Sequence, residues 1–167
     1  MKIQLIELNK NQANDYFELF SSENVCKYFD ITPFKFLENA KIFIRNGIKL
    51  INNKKVIRYS IKLNQNIVGS ICLYSIVLHQ KRASIGYALN EKYWGKGIMQ
   101  DAINQIEIIG RQNYSINRMQ ATILPQNVQS KKLLQKCGYQ YEGLLQQYEN
   151  WDGKGFVDLE MYSKIIY

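Results

Sequence analysis

Residues 88–103 read ALNEKYWGKGIMQDAI, and this stretch joins the end of a strand, a loop with two glycines and the start of a helix. The first backbone N–H groups of a helix have no partner within it, and the helix dipole makes that end positive. Gly95 and Gly97 keep side chains away from these amides, so an anion could approach the backbone closely. The stretch therefore predicts a phosphate or pyrophosphate site, with an ordinary turn as the alternative interpretation.

The spacing within this loop excludes the two best-known nucleotide-binding loops. A dinucleotide fingerprint has a small residue three positions beyond its second glycine, where Gln100 stands, and an acid about 20 residues later, near Asn117. A P-loop has Ser or Thr after Gly-Lys, whereas Lys96 is followed by Gly97. Neither of these loops is present.

Periodic patterns on both sides of the loop predict the remaining elements. Small residues, Ser84, Gly86 and Ala88, share one face of the strand that leads into the loop, which leaves space above the sheet. After the loop, apolar residues recur at steps of three and four, as on the buried face of a helix. We predict strands at residues 3–8, 56–63, 67–78, 83–90, 118–124, up to 151 and 156–165, and helices from 9 or 11 to 20, 32 to 51, 98 to 114 and 127 to 138.

This element order predicts an α+β (mixed α/β) fold. A strand, a helix and a strand in succession among antiparallel neighbours imply a mixed sheet with one parallel crossover. A length of 167 residues, without an internal repeat or a linker, is typical of one domain, residues 1–167.

The composition and charge narrow the function without fixing it. With 46% hydrophobic and 22% charged residues, the chain is globular rather than disordered. The net charge of +8 comes from residues 41–96, which hold eleven Lys or Arg and one acid. Such a basic zone attracts polyanions, namely nucleic acid, a membrane surface or a phosphorylated cofactor, but it is also compatible with a solvated basic face.

Cysteine and histidine are too scarce for a disulfide framework or a metal site. The chain has three scattered cysteines, Cys26, Cys72 and Cys137, and one histidine, His79, so we expect no metal. The N-terminus lacks the apolar run of a secretory signal, and the longest uncharged apolar stretch, residues 67–78, is shorter than the ~18 residues that span a bilayer. We therefore expect a cytoplasmic protein with no membrane partner.

Three segments, in this order, resemble the GNAT N-acetyltransferase superfamily. They are ASIGYAL at residues 83–89, YWGKGIM at residues 93–99 and NVQSKKLLQKCGY at residues 127–139. The closing segment ENWDGKGFVDLEMYS, residues 149–163, is similar to the branch that acetylates ribosomal-protein N-termini and small amines. The resemblance implies a mixed, mostly antiparallel seven-stranded sheet with helices on both faces, splayed between its fourth and fifth strands.

The resemblance also implies that acetyl-CoA is the cosubstrate. Trp94 and Met99 depart from the family's pyrophosphate loop, but backbone amides do the binding, so these departures affect packing more than binding. In the family the pantetheine lies in the splay, which implies a backbone N–H near Ala88 or Leu89 as an oxyanion donor. The positions on which the family's cofactor-binding motifs fall are Trp94, Gly95, Lys96, Gly97, Ile98, Met99, Asn127 and Ser130.

Both usual proton carriers of the family are missing. Ser84 stands where many relatives have an acid, and Leu134 stands where many have a tyrosine. The resemblance offers Ser130 as a proton donor to the departing thiolate and Glu149 as the acid near the acceptor. A polar residue early in a helix and an exposed strand carboxylate are the alternative roles of these two side chains.

These expectations favour an acetyl-CoA-dependent N-acetyltransferase that acts on a primary amine by direct transfer in a ternary complex. Tyr87, Tyr148 and Trp151 are candidates to line the acceptor site, or else belong to the core. The acceptor is left open between a protein N-terminus, including that of a ribosomal protein, and a small-molecule amine. The alternatives are a basic RNA- or ribosome-binding module and a non-catalytic CoA-binding protein. A monomer and a homodimer both fit the sequence.

Overall fold

A computed structural model describes residues 2–167 as seven strands and five α-helices. The strands are β1 (Ile3–Glu7), β2 (Ile57–Leu63), β3 (Asn66–Val77), β4 (Arg82–Leu89), β5 (Arg118–Ile123), β6 (Gln140–Trp151) and β7 (Gly155–Ile165). The helices are α1 (Ala13–Ser21), α2 (Glu23–Cys26), α3 (Leu37–Asn52), α4 (Ile98–Tyr114) and α5 (Val128–Lys136). Within residues 2–167, every helix is too short or too polar to cross a membrane.

The strands form one sheet in the order β1-β2-β3-β4-β5-β7-β6. Only β4 and β5 are parallel neighbours, and the other neighbouring pairs in residues 2–167 are antiparallel. The β4–β5 ladder has three residue pairs, Arg82 with Arg118, Ala83 with Met119 and Ser84 with Gln120. Beyond these pairs the two strands separate, which confirms the mixed, mostly antiparallel sheet and the splay between its fourth and fifth strands.

Helices pack on both faces of the sheet. On one face, Ile103 and Ile106 of α4 belong to the same buried cluster as Ile71 and Leu73 of β3, and each of these four side chains is fully buried. Burial of one such side chain contributes about 1.5–3 kcal/mol, so this cluster is the main stabilising core. The core fixes the direction of α4 and therefore the position of its N-terminus.

On the opposite face, α1 and α3 cover β2 and β3. The hydroxyl of Tyr16 on α1 and that of Ser60 on β2 are 3.0 Å apart in a buried hydrogen bond. Phe20 and Phe43 stack near this bond, with ring centroids 5.1 Å apart. The N-terminal helices are thus attached to the sheet by aromatic packing and by a satisfied polar contact.

The predicted boundaries hold closely except at α3. Helix α4 has the predicted bounds, and Gly138 follows α5 with φ of 86°, as expected for a left-handed cap residue. The prediction that α3 begins at Thr32 is wrong, because it begins at Leu37, where the Asn39 side chain accepts a hydrogen bond from the Phe36 N–H. The Phe34 N–H instead donates to the Phe20 carbonyl at 2.8 Å, which ties this segment to α1 and keeps it out of the helix.

Candidate active site

The loop before α4 exposes its glycine backbone. Gly95 and Gly97 have φ of 74° and 78°, and a Cβ atom added at either glycine would meet no atom of residues 2–167 within 4 Å. Gly97 is the N-cap of α4, so the free amides of the first helical turn face this open space. The geometry suits an anion that contacts backbone rather than side chains.

The side chains around the two glycines support the loop. The indole N–H of Trp94 donates to the Leu89 carbonyl at 2.7 Å, and the side chains of Ile98 and Met99 are buried in the core. The ammonium of Lys96 donates to the Lys92 carbonyl at 2.8 Å. The side chains of Trp94, Ile98 and Met99 therefore pack towards the protein interior, and the backbone of the loop stays accessible to a ligand.

The separation of β4 and β5 opens a cavity of about 300 Å³. Ladder pairing between them stops at Ser84 and Gln120, whereas β4 continues to Leu89. Six residues singled out from the sequence lie together around the cavity, namely Tyr87, Ala88, Asn127, Ser130, Glu149 and Trp151. Leu89 and the six residues 94–99 lie outside its lining.

Ser130 is held at the start of α5. Its backbone N–H donates to the Asn127 side-chain oxygen at 3.1 Å, which caps the helix, and its hydroxyl lies 3.0 Å from the hydroxyl of Tyr87. Burial raises the pKa of Tyr87, so this phenol stays protonated at neutral pH and can donate to Ser130. The sequence suggested that Tyr87 either lines the acceptor site or belongs to the core. In the structure it packs against the core, lines the cavity and contacts the Ser130 hydroxyl.

Glu149 reaches the cavity from β6. Its carboxylate accepts a hydrogen bond from the Trp151 indole N–H at 2.8 Å, and both residues line the cavity. The β6–β7 register shifts between Leu145 and Glu149. This shift decides which carboxylate faces the cavity, since Asp158 on β7 is exposed and instead accepts from the Gln147 N–H at 2.8 Å.

Three other positions considered from the sequence lie outside the cavity lining. Ser84 is buried beside Gln120, whose side-chain nitrogen is 3.4 Å from the serine hydroxyl. Leu134 is fully buried in the core, and Tyr148 is 53% exposed. Trp151 is thus the one of the two aromatic candidates on β6 that faces the cavity.

Sequence reasoning missed the polar residues on the far side of the cavity. Arg58 comes from β2, Tyr74 from β3 and Asp30 from the segment between α2 and α3, and all three line it. They belong to no local motif, because three separate parts of the chain supply them. The charged side chains around the cavity within residues 2–167 are Arg58, Asp30 and Glu149.

Comparison with known proteins matches residues 2–140 to the family model described as an acetyltransferase (GNAT) domain. The uncharacterized N-acetyltransferase p20 of Bacillus licheniformis is 30% identical over 97% of this chain and 92% of its own length. The ribosomal-protein-serine acetyltransferase of Escherichia coli is 25% identical over 77% of this chain and 72% of its own length. Among solved structures, the microcin C7 self-immunity acetyltransferase MccE, in complex with acetyl-CoA and AMP, is 27% identical, with a TM-score of 0.88 over 99% of this chain and 93% of that one.

Proposed function

Because the chain belongs to the GNAT acetyltransferase family, we propose that it transfers the acetyl group of acetyl-CoA to a primary amine by direct transfer in a ternary complex. It is an enzyme of the N-acetyltransferase class. The observation that carries the proposal is the gap between β4 and β5, which continues into a cavity that holds Ser130 and Glu149. A closed sheet could not take up an extended thioester at this position.

The residues present fit acetyl-CoA. The open backbone at Gly95 and Gly97, at the N-terminus of α4, suits the pyrophosphate. The unpaired edge of β4 beyond Ser84 can hydrogen-bond the pantetheine amides as it would an added strand. When bound, acetyl-CoA supplies an acetyl group activated as a thioester.

The side chains around the cavity can carry the protons of the reaction. Glu149 accepts a proton from the attacking amine, and Ser130 donates one to the sulfur as the carbon–sulfur bond breaks and the carbon–nitrogen bond forms. Tyr87 donates to Ser130 and so supports the serine as it gives up its proton. A backbone N–H at Ala88 or Leu89 polarises the acetyl carbonyl.

The acceptor is a small-molecule amine or a protein N-terminus. The likeness to the E. coli ribosomal-protein-serine acetyltransferase supports an acceptor of the second kind, which would place the enzyme beside the ribosome in the cytoplasm. The microcin C7 self-immunity acetyltransferase binds AMP as well as acetyl-CoA, and this likeness supports a small molecule in the acceptor site. The charges around the cavity favour the small molecule.

The proposal is tested by binding and turnover measured on the same preparation. We expect calorimetry to detect acetyl-CoA at micromolar concentrations, and a panel of amines to release free CoA thiol. Glu149→Gln should bind acetyl-CoA normally and lower amine-dependent thiol release by about 100-fold, in the range of a lost general base. Absence of acetyl-CoA binding at high micromolar concentration contradicts the proposal, whereas binding without amine-dependent release would indicate a CoA-binding protein without catalysis.

A further inference from the structure

Arg58 is a cation on the cavity wall without an anionic partner. Its side chain is half-buried and lines the cavity, and its guanidinium carbon lies 4.9 Å from the centre of the Phe43 ring. One terminal nitrogen is 3.7 Å from the Cys72 sulfur, which is a weak acceptor. Within residues 2–167 the Nε atom is buried without a hydrogen-bond partner, and the guanidinium forms no ion pair.

An arrangement of this kind is costly unless a ligand completes it. A buried donor without an acceptor loses its hydration and gains nothing in return, and the loss is larger for a charged group. The ring of Phe43 and the sulfur of Cys72 offset only part of the cost. The Nε atom itself has almost no accessible surface, but the Arg58 side chain lines the cavity and has no ion pair within residues 2–167, so an anion in the cavity can bind its guanidinium.

The position of Arg58 relates this anion to the point of transfer. Arg58 pairs with Cys72, and Cys72 pairs with Gly86, so the three residues lie in one row across β2, β3 and β4. At a strand spacing of about 4.8 Å, the Arg58 backbone lies about 10 Å from β4, the strand that borders the splay. The side chains of Tyr74 and Cys72 lie over Gly86, 3.3 and 3.4 Å from the position of a Cβ atom there, and all three residues line the cavity between Arg58 and β4. The anion and the reacting amine can therefore belong to one small molecule.

The other charges of the cavity suit the amine end of such a molecule. Asp30 and Glu149 line the same cavity as Arg58, and an ammonium group is attracted to carboxylates. The anion is better a carboxylate than a phosphate, because the doubly charged phosphate would be repelled by these two acids. The planar fork of an arginine also matches the two oxygens of a carboxylate.

We propose that the acceptor is a small amino acid or a related amine with a free carboxylate, which Arg58 recognises while Glu149 faces the amine. This inference rests on the proposed acetyltransferase function and specifies its substrate class. Arg58 is a specificity-determining residue, because its charge selects acceptors by their carboxylate, which takes no part in the reaction.

The experiment compares a panel of free amino acids with their C-terminal amides, at saturating acetyl-CoA, by release of free CoA thiol. An amide keeps the amine and the side chain and removes only the carboxylate charge. We expect kcat/KM for the preferred acid to exceed that for its amide by about 10- to 100-fold, the range for a hydrogen bond to a charged group. The amine of the amide is less basic, so more of it is uncharged and nucleophilic at neutral pH. Amine reactivity alone would therefore make the amide the better substrate.

Two variants assign the preference to Arg58. Arg58→Met keeps an apolar stem beside Phe43 and should bring the acid-to-amide ratio close to one, whereas Arg58→Lys keeps the charge without the fork and should give an intermediate ratio. The matched control is Lys62→Met on the same strand, which lies outside the cavity lining and should keep the wild-type ratio. Circular dichroism and acetyl-CoA calorimetry establish that each variant is folded.

The outcomes separate this inference from the proposed function. Wild-type enzyme that acetylates amides as fast as acids, or that acetylates none of the free acids, overturns the inference, while any amine acetylation leaves the acetyltransferase function standing. An Arg58→Met variant that is folded and keeps the wild-type ratio overturns the role of Arg58. If the variants do not fold, the wild-type ratio of acids to amides is still decisive for the substrate class.

Discussion

Ser130 and Tyr87 form a part-buried hydroxyl pair in which either oxygen can accept the hydrogen bond. Because burial raises the pKa of Tyr87, its phenol keeps its proton at neutral pH, and the Ser130 oxygen can accept it at 3.0 Å. The serine proton is then free to point into the cavity. In the proposed mechanism this pair takes the place of the tyrosine that the family resemblance leads one to expect at position 134, where this chain has Leu134.

Ser130→Ala should therefore slow turnover by about 100-fold, as expected when a positioned proton donor is lost. The affinity for acetyl-CoA should change little, because the bond from the residue 130 amide to Asn127 does not involve the hydroxyl. Steady-state kinetics and calorimetry measure the two effects separately. Gln129→Ala, one position away and exposed, is the control, and equal rates for the two variants would remove Ser130 from the chemistry.

The side chains of the cavity differ in how far the sequence could predict them. Ser130 and Glu149 stand in segments that resemble family motifs, so their presence near the acceptor could be inferred from local sequence. Arg58 has no such signal, since its alternation with Ile57 and Tyr59 indicates only a strand face. Its proximity to Glu149 results from sheet order and helix packing, which local patterns do not encode.

We expect the affinity for acetyl-CoA to depend on the loop before α4. Gly97 occupies left-handed space with no neighbour of its Cβ position, so a larger side chain would stand where an anion approaches the amides. Gly97→Glu adds both bulk and negative charge at this point. We expect it to abolish acetyl-CoA binding in calorimetry at concentrations that saturate the wild type.

Gly153 provides a matched control for this substitution. It has φ of 72° and an equally open Cβ position, but it lies in the turn between β6 and β7. Gly153→Glu therefore carries a similar backbone strain, and it should retain acetyl-CoA affinity within a few-fold. Equal loss of binding in both variants would mean that strain, rather than the position of Gly97, is responsible.

Among the elements, the helix after the loop is the clearest success of the sequence patterns. Its glycine start and its apolar spacing agree, and α4 spans the predicted residues. Thr32 and Pro33 also form a good local start signal, yet α3 begins at Leu37. There the tertiary bond from Phe34 to Phe20 and the packing of the Phe34 ring override the local preference.

At the scale of the molecule, the C-terminal strands are tied to β5 by a polar bridge. Arg118 on β5 forms an ion pair with Glu142 on β6, and Ser163 on β7, between them, donates to the same carboxylate at 2.5 Å. The hydrogen bonds from Arg118, and then that from Ser163, lower the pKa of Glu142. This bridge therefore contributes stability that depends on pH.

Glu142→Gln tests that dependence. A carboxyl whose pKa is lowered on folding stabilises the protein above its ordinary value of 4.5, and the contribution is lost as the pH falls through the lower folded-state pKa. The pair is partly exposed, so we expect the variant to be less stable by under about 1 kcal/mol at pH 7. Urea unfolding at pH 7 and near pH 3 should show the difference decrease in acid, and an equal difference at both pH values would exclude an ionic origin.

Because the ladder between β4 and β5 has only three residue pairs, the sheet is left without hydrogen bonds over part of its centre. A ligand that binds between the two strands can form the hydrogen bonds that they do not form with each other, so a bound ligand stabilises the sheet. Occupancy at 100 times the dissociation constant adds about 2.7 kcal/mol to the folded state. We therefore expect the resistance of this protein to proteolysis to increase with the concentration of acetyl-CoA.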